Sequence, residues 1–269
     1  MDRTVNRSTP GKRLKTMLAV DFRRMFTMPL VYIMIAACFV MPVLILVMTT
    51  MMDGSVTVNP QTGVETVIEG FDNTWQIIGS VSTAGSEAAM EMSMVSMCNI
   101  NMLYFFISVL VCLFVSEDFR SGYAKNLFTV RAKKNDYVIS KTLVCITGSA
   151  LMILAFIAGS FVGGAIAGLP FDMVGFTSGN LVMCVLAKVL IVAVFVPIYL
   201  CMSVIAKQRA WMSILLSMMV GMFMFMMIPM LSPLDASIVH VLGCAAGGVL
   251  FSIGLGLVSN KILKSTSLV

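Results

Sequence analysis

The chain has 269 residues, 59% of them hydrophobic and 12% charged, with a mean hydropathy of +0.97 and a formal net charge of +5. Soluble domains carry charge on about a quarter of their residues, so this composition excludes a soluble enzyme or cytosolic module and predicts an all-α integral membrane protein. The positive balance is no argument for nucleic acid, because no basic patch is interleaved with aromatics on a soluble face.

Residues 1–28 form a charged tail. Within it Leu14, Met17, Leu18, Phe22 and Met25 recur at helical spacing, while Lys12, Arg13, Lys15, Arg23 and Arg24 take much of the remainder. That pattern predicts an amphipathic interfacial helix, which either anchors on anionic lipid or also serves as an elbow touching a cytosolic loop. The apolar run that follows is too long for a removable signal peptide and lacks a small-residue cleavage site, so the first span is expected to stay.

A hydrocarbon core about 30 Å thick needs roughly 20 apolar residues in a helix. Six runs qualify, at 29–52, 97–115, 142–168, 186–206, 211–231 and 239–259, which makes 29–269 a single six-span transmembrane domain. No β-barrel alternation appears, and runs this long satisfy their backbone groups as helices. Pro42, Pro197 and Pro229 should kink or end the spans they fall in. Gly159 with Gly163, Gly164 with Gly168, and Gly243 with Gly247 have the four-residue spacing that lets helix backbones approach, within one chain or across a dimer.

Basic residues give the orientation, since those close to span ends are retained in the cytoplasm. Seven lie in the N-terminal tail, six in the loop 116–141, and the pairs Lys207/Arg209 and Lys261/Lys264 close the set. The alternate loops hold eight acids (Asp53, Glu65, Glu69, Asp72, Glu87, Glu91, Asp172, Asp235) and no base. Both termini are therefore expected in the cytoplasm, with 53–96 the large external loop, a turn-rich hairpin followed by a short helix. Lys188 is the one basic residue inside an apolar run. Nineteen residues, about 28 Å of helix, separate it from Lys207, which puts it near the outer interface where it can snorkel.

Seven cysteines stand singly in apolar sequence with no C-x-x-C, which reads as small buried hydrophobes rather than disulfides or zinc. There is no Gly-x-x-x-x-Gly-Lys-Ser/Thr, no His-Glu-x-x-His and no Gly-x-Ser-x-Gly, so the chain itself carries no nucleotide site, cofactor or enzyme motif. Chemistry concentrates instead in Ser116–Lys141, with six basic and three acidic side chains in 26 residues. Glu117 and Asp118 close a span at a helix C-terminus, where negative charge opposes the macrodipole unless Arg120, or Arg23 and Arg24 of the elbow, compensates it. After Ser121 and Gly122 a short helix would carry Lys125, with Leu127 and Phe128 as apolar knobs fit for another protein's groove.

The run E-D-F-R-S-G-Y-A-K-N-L, with a tyrosine and a lysine opening the next span, resembles the permeases of type-two ABC exporters, most closely the six-span permeases of Gram-positive peptide-antibiotic and lantibiotic resistance transporters. The likeness covers the whole chain as topology and is strongest at 116–141 as sequence. In that family an acid, a glycine and a leucine mark the coupling-helix loop, and they fall here on Glu117, Gly122 and Leu127; Tyr123 stands where many relatives have Thr. The resemblance implies a multi-pass protein of the bacterial plasma membrane. It also implies a cytosolic ATPase subunit holding ATP and Mg, a second permease chain, and export driven by movement of the docked helix. Substrate selection would fall to spans facing the dimer axis, where the Met-rich run with Met219, Met222 and Met226 suits an amphipathic peptide, drug or lipid-like cargo. Two other readings stay open. Met90, Met92, Met94 and Met97, beside Cys98, are soft ligands of the kind that take Cu(I), as in a copper-handling transporter. The chain could also be a membrane sensor or scaffold that holds an ATPase without transporting.

Overall fold

A computed structural model describes residues 10–58, 65–67, 70–81, 98–129, 133–207, 209–225 and 227–265. The architecture is a helical bundle. Helix α1 (Pro10–Thr27) covers the expected amphipathic segment and is broken from α2 (Pro29–Met52) at the extended residue Met28, with Pro29 at the start of the new helix, where its missing N–H costs nothing. A two-stranded hairpin follows, β1 (Val56–Val58) antiparallel to β2 (Glu65–Val67). The short helix expected later in this loop lies outside the described residues.

The other helices are α3 (Leu103–Arg120), α4 (Tyr123–Thr129), α5 (Lys134–Ala167), α6 (Ser178–Ala206), α7 (Ala210–Phe225), α8 (Ile228–Leu231) and α9 (Ile238–Ser265). Five are long and apolar enough to cross a membrane: α2, α3 with the 3-10 turn before it, α5, α6 and α9. The chain is a multi-pass membrane protein. The run 211–231, expected as one further span, is divided instead. Its first part, α7, has 16 residues and measures about 24 Å, short of a 30 Å core. Pro229 opens the separate four-residue α8, because its ring fits a first turn but not a helix interior. Pro42 and Pro197, by contrast, sit buried inside α2 and α6, which continue past them.

Lipid tails are as apolar as leucine, so close packing holds the spans together. Gly159 and Gly163 of α5 make this possible against α2. A Cβ built on Gly159 would run into the Phe39 carbonyl oxygen, and one on Gly163 would lie 2.8 Å from the Val43 Cα. This small-residue stripe therefore packs within the chain. On the other side Gly248 of α9 brings its backbone to α6, with a built Cβ 2.9 Å from the Ala193 Cβ, while Gly243 faces open space. Buried Leu103, Ile107, Leu110, Val111 and Phe114 put α3 in the centre.

One end of the bundle carries Arg24, Lys134, Lys141, Lys207 and Lys261 and is called the basic end below. Lys134 donates from Nζ to the Leu263 carbonyl there at 2.5 Å, tying α5 to α9. The opposite end is closed by a roof. Trp75 lies edge-on to Phe161, Phe171 and Phe176, and its indole N–H donates to the Phe171 carbonyl at 3.0 Å.

Candidate functional site

The site is built at the basic end where three elements meet. Asp21, on the same stripe of α1 as Met17 and Met25, is fully buried. Asp118, two residues before the end of α3, is buried too, as is Lys141 in the second turn of α5. The Lys141 ammonium lies 2.9 Å from Asp21 Oδ1 and 2.7 Å from Asp118 Oδ2, and it sits 4.0 Å from the centre of the Phe114 ring. Arg24 then donates from Nη1 to Asp118 Oδ1 at 2.6 Å. The Tyr137 hydroxyl donates to Asp118 Oδ2 at 2.9 Å, and Ser140 Oγ donates to Asp21 Oδ2 at 2.6 Å. Two carboxylates and two cations thus form a neutral hub, with each charge answered inside the cluster, the condition under which burial is tolerated.

The hub lies beneath α4. Ser121 closes α3 by donating from both its N–H and its hydroxyl to the Glu117 carbonyl, at 2.9 and 2.6 Å. Gly122 adopts φ +74°, the left-handed conformation that ends helices, and α4 begins at once. Tyr123 shields the hub from above: the Arg24 guanidinium lies 3.9 Å from its ring centre. Burial opposes the charge on Arg24, yet Asp118 outweighs it and raises the guanidinium above its ordinary value. The Tyr123 phenol is raised as well, by burial first and then by Asp21, against the pull of Arg24, and it stays neutral.

The predicted site residues divide. Arg24 and Asp118 are joined directly, whereas Arg23 and Arg120 are exposed. Glu117 is half-buried, and its carbonyl caps the turn. Leu127 and Phe128, expected as outward knobs, are half-buried and turn back onto the chain, the Phe128 ring 5.4 Å from that of Tyr137. Ala124 is buried and shares their inward side, so the groups that α4 opens to solvent are Lys125, Asn126 and Thr129. In α1, Leu14, Leu18 and Phe22 are half-buried. Lys141 is the lysine that opens the span after the loop, singled out in the sequence without a partner, whereas Asp21 escaped notice; its available signal was an acid lying on the apolar stripe of an otherwise basic helix.

Elsewhere Met219 and Met222 are exposed on one face of α7, at 61% and 72%, whereas the side chain of Met226 lies outside the described residues. Met90, Met92, Met94 and Met97 also lie outside them. Among the described residues no three His, Cys, Asp or Glu side chains converge as a metal site, and the cysteines are free. His240 accepts from the Ser237 N–H at 3.2 Å at the start of α9. Lys188 does not snorkel. It is fully buried, with its ammonium 3.0 Å from Ser232 Oγ, because polar partners exist inside the bundle.

A helical multi-span bundle with a buried charge hub below a short interhelical helix narrows the class, and residues 27–224 match the family model described as ABC-2 family transporter protein. This chain belongs to the ABC-2 transporter family. The matched region runs from the end of α1 through α7 and includes the hub's Asp118 and Lys141. In this family the domain is the transmembrane component and not a nucleotide-binding domain, and membership implies work with an ABC ATPase and typically a paired permease. No curated protein and no solved structure matches the chain.

Proposed function

We propose that this ABC-2 permease is the membrane subunit of an ATP-driven exporter and that α4 is the coupling helix on which a cytosolic ATPase docks. The observation that supports this most directly is the hub of Asp21, Arg24, Asp118 and Lys141, whose ion pairs of 2.6 to 2.9 Å join α1, α3 and α5, and on which α4 rests through the contact of Tyr123 with Arg24 and of Phe128 with Tyr137. A force applied to α4 is then shared by three helices rather than absorbed in a loose loop. The docking face is Arg120, Lys125, Asn126 and Thr129, all exposed and polar.

In this reading the basic end and both termini face the cytoplasm, α7 with α8 supplies a sixth crossing, and two permeases with two ATPases form the unit in the plasma membrane of a bacterium. ATP acts by binding one conformation better than the other. The cargo is amphipathic or hydrophobic, a peptide antibiotic, drug or lipid-like molecule, and the exposed stripe of Leu215, Met219, Met222 and Phe223 is the adaptable surface that suits it.

The test is co-purification of the tagged chain from native membrane in mild detergent, followed by mass spectrometry. A P-loop ATPase that accompanies the wild type and is lost from Arg120→Glu/Lys125→Glu supports the assignment. An ATPase that stays bound to that variant removes α4 as the docking element. One whose hydrolysis ignores every amphipathic cargo tried marks a scaffold instead of a transporter.

A further inference from the structure

Asn180, Cys184 and Lys188 stand one above another on α6, four residues apart, and each of them grips the crossing segment 231–236 between α8 and α9. The Asn180 amide donates to the Asp235 and Ala236 carbonyls at 3.1 and 3.2 Å. The Cys184 thiol points to the Ser232 carbonyl at 3.5 Å. Lys188 donates to Ser232 Oγ at 3.0 Å and reaches Asn101 Oδ1, in the 3-10 turn before α3, at 3.4 Å. Its place is set by Tyr104, whose hydroxyl donates to the Lys188 carbonyl at 2.8 Å. From α9 the Cys244 thiol meets the Leu231 carbonyl at 3.6 Å. The segment is also tied into the roof, since the Leu234 N–H donates to the Ser80 carbonyl at 2.9 Å.

Lys188, Cys184 and Ser232 are fully buried and Cys244 nearly so. Three donors on one ammonium must find acceptors or water. Here the acceptors come from two other segments, the 3-10 turn and 231–236. If 231–236 lifts away from α6, the ammonium loses Ser232, and the Asp235, Ala236 and Ser232 carbonyls lose their donors too. An apolar side chain at position 188 would leave Ser232 Oγ and Asn101 Oδ1 buried with one partner fewer, which costs more than never having had it.

We propose that Lys188 is the positioning residue of a seam that holds the roof shut against α6, and that parting of this seam is the outward step of transport. This rests on the reading of the chain as a transporting permease, with the roof on the external side.

The chain's own thiols report on the seam. The full-length protein in nanodiscs would be treated with a water-soluble maleimide and the modified cysteines located by peptide mass spectrometry. The half-buried Cys98 serves as the reactive reference and the buried Cys145, near the hub, as the protected one. In the wild type Cys184 and Cys244 should react at least tenfold more slowly than Cys98. Lys188→Met should speed both about tenfold with Cys145 still protected. Ser232→Ala, a smaller change that leaves the ammonium in place, should speed them in lesser measure.

Rates for both variants equal to or below those of the wild type overturn the proposal, since Lys188 would then burden the closed seam instead of holding it. A parallel rise at Cys145 overturns it as well, by showing general loosening. None of these rates depends on the ATPase. An ATPase that stays bound to Arg120→Glu/Lys125→Glu would sink the coupling reading and leave the seam standing, and unchanged thiol rates in the Lys188 and Ser232 variants, with the ATPase lost from the α4 variant, would do the reverse.

Discussion

At Gly122 the turn between α3 and α4 uses φ +74°, and a built Cβ there meets nothing within 4 Å. Strain of the backbone, not lack of room, decides what can replace it. Gly122→Ala should therefore lower stability by about 1 kcal/mol, the cost of a left-handed L-residue, and Gly122→Asn by less, as thermal unfolding in detergent would show. The hub offers a sharper residue-level test. Lys141→Met leaves Asp21 and Asp118 buried together with only Arg24 to answer them, and should cost about 3 to 5 kcal/mol. Adding Asp21→Asn removes one of those charges and should restore part of the loss. A double-mutant cycle by chemical denaturation checks the sign of the coupling; a purely additive pair would mean that the two side chains do not share an ion pair in solution.

Among the elements, α2 and α5 depend on contact between backbones. Gly159→Ala puts a methyl group against the Phe39 carbonyl and should cost about 1 to 3 kcal/mol, whereas Gly243→Ala, open on its side of α9, should be neutral within about 0.5 kcal/mol. Yield and melting temperature of the two variants separate them. The same two glycines show what sequence could and could not resolve. Their four-residue spacing marks a close-packed face in either helix, yet only the third dimension tells that Gly159 has a neighbour and Gly243 has none. Apolar length made the long spans legible, and a Gly with polar neighbours made α4 legible. Pro229 is expected, like Pro42 and Pro197, to kink or end its span, but that α7 stops at 16 residues is not legible, because hydropathy runs on through the interruption. The hub was half visible. Glu117 and Asp118 demand a cation near a helix end, but the choice of Arg24 over Arg23 and Arg120 turns on which face α1 lays against α5, fixed where Met25 fills the space beside Gly148. Lys188 deceived for a related reason: distance along a helix places a lysine near an interface without showing whether hydroxyl and amide partners wait inside.

For the molecule as a whole, membership of the ABC-2 family sets the expectation that activity belongs to an assembly. Phe128→Ala tests how the chain enters it. Because Phe128 packs against Tyr137, its loss should lower thermal stability by about 1 to 2 kcal/mol. Arg120→Glu/Lys125→Glu, on the solvent side, should leave stability within about 0.5 kcal/mol and abolish ATPase capture. Comparing melting temperature with pull-down for the two variants separates internal packing from docking.

Helix α5 runs through the bundle without a break. It has 34 residues, with Lys141 anchored in the hub and Gly164 pressed beneath Thr74 of the roof. Twenty-three residues separate these two points, about 35 Å of continuous helix. A rod of that length has leverage. Tilting it by about 5° at the hub swings its far end by roughly 3 Å, as far as a hydrogen bond is long. A nudge too small to disrupt the ion pairs at one face of the membrane would thus be amplified into a displacement large enough to part the polar contacts at the other.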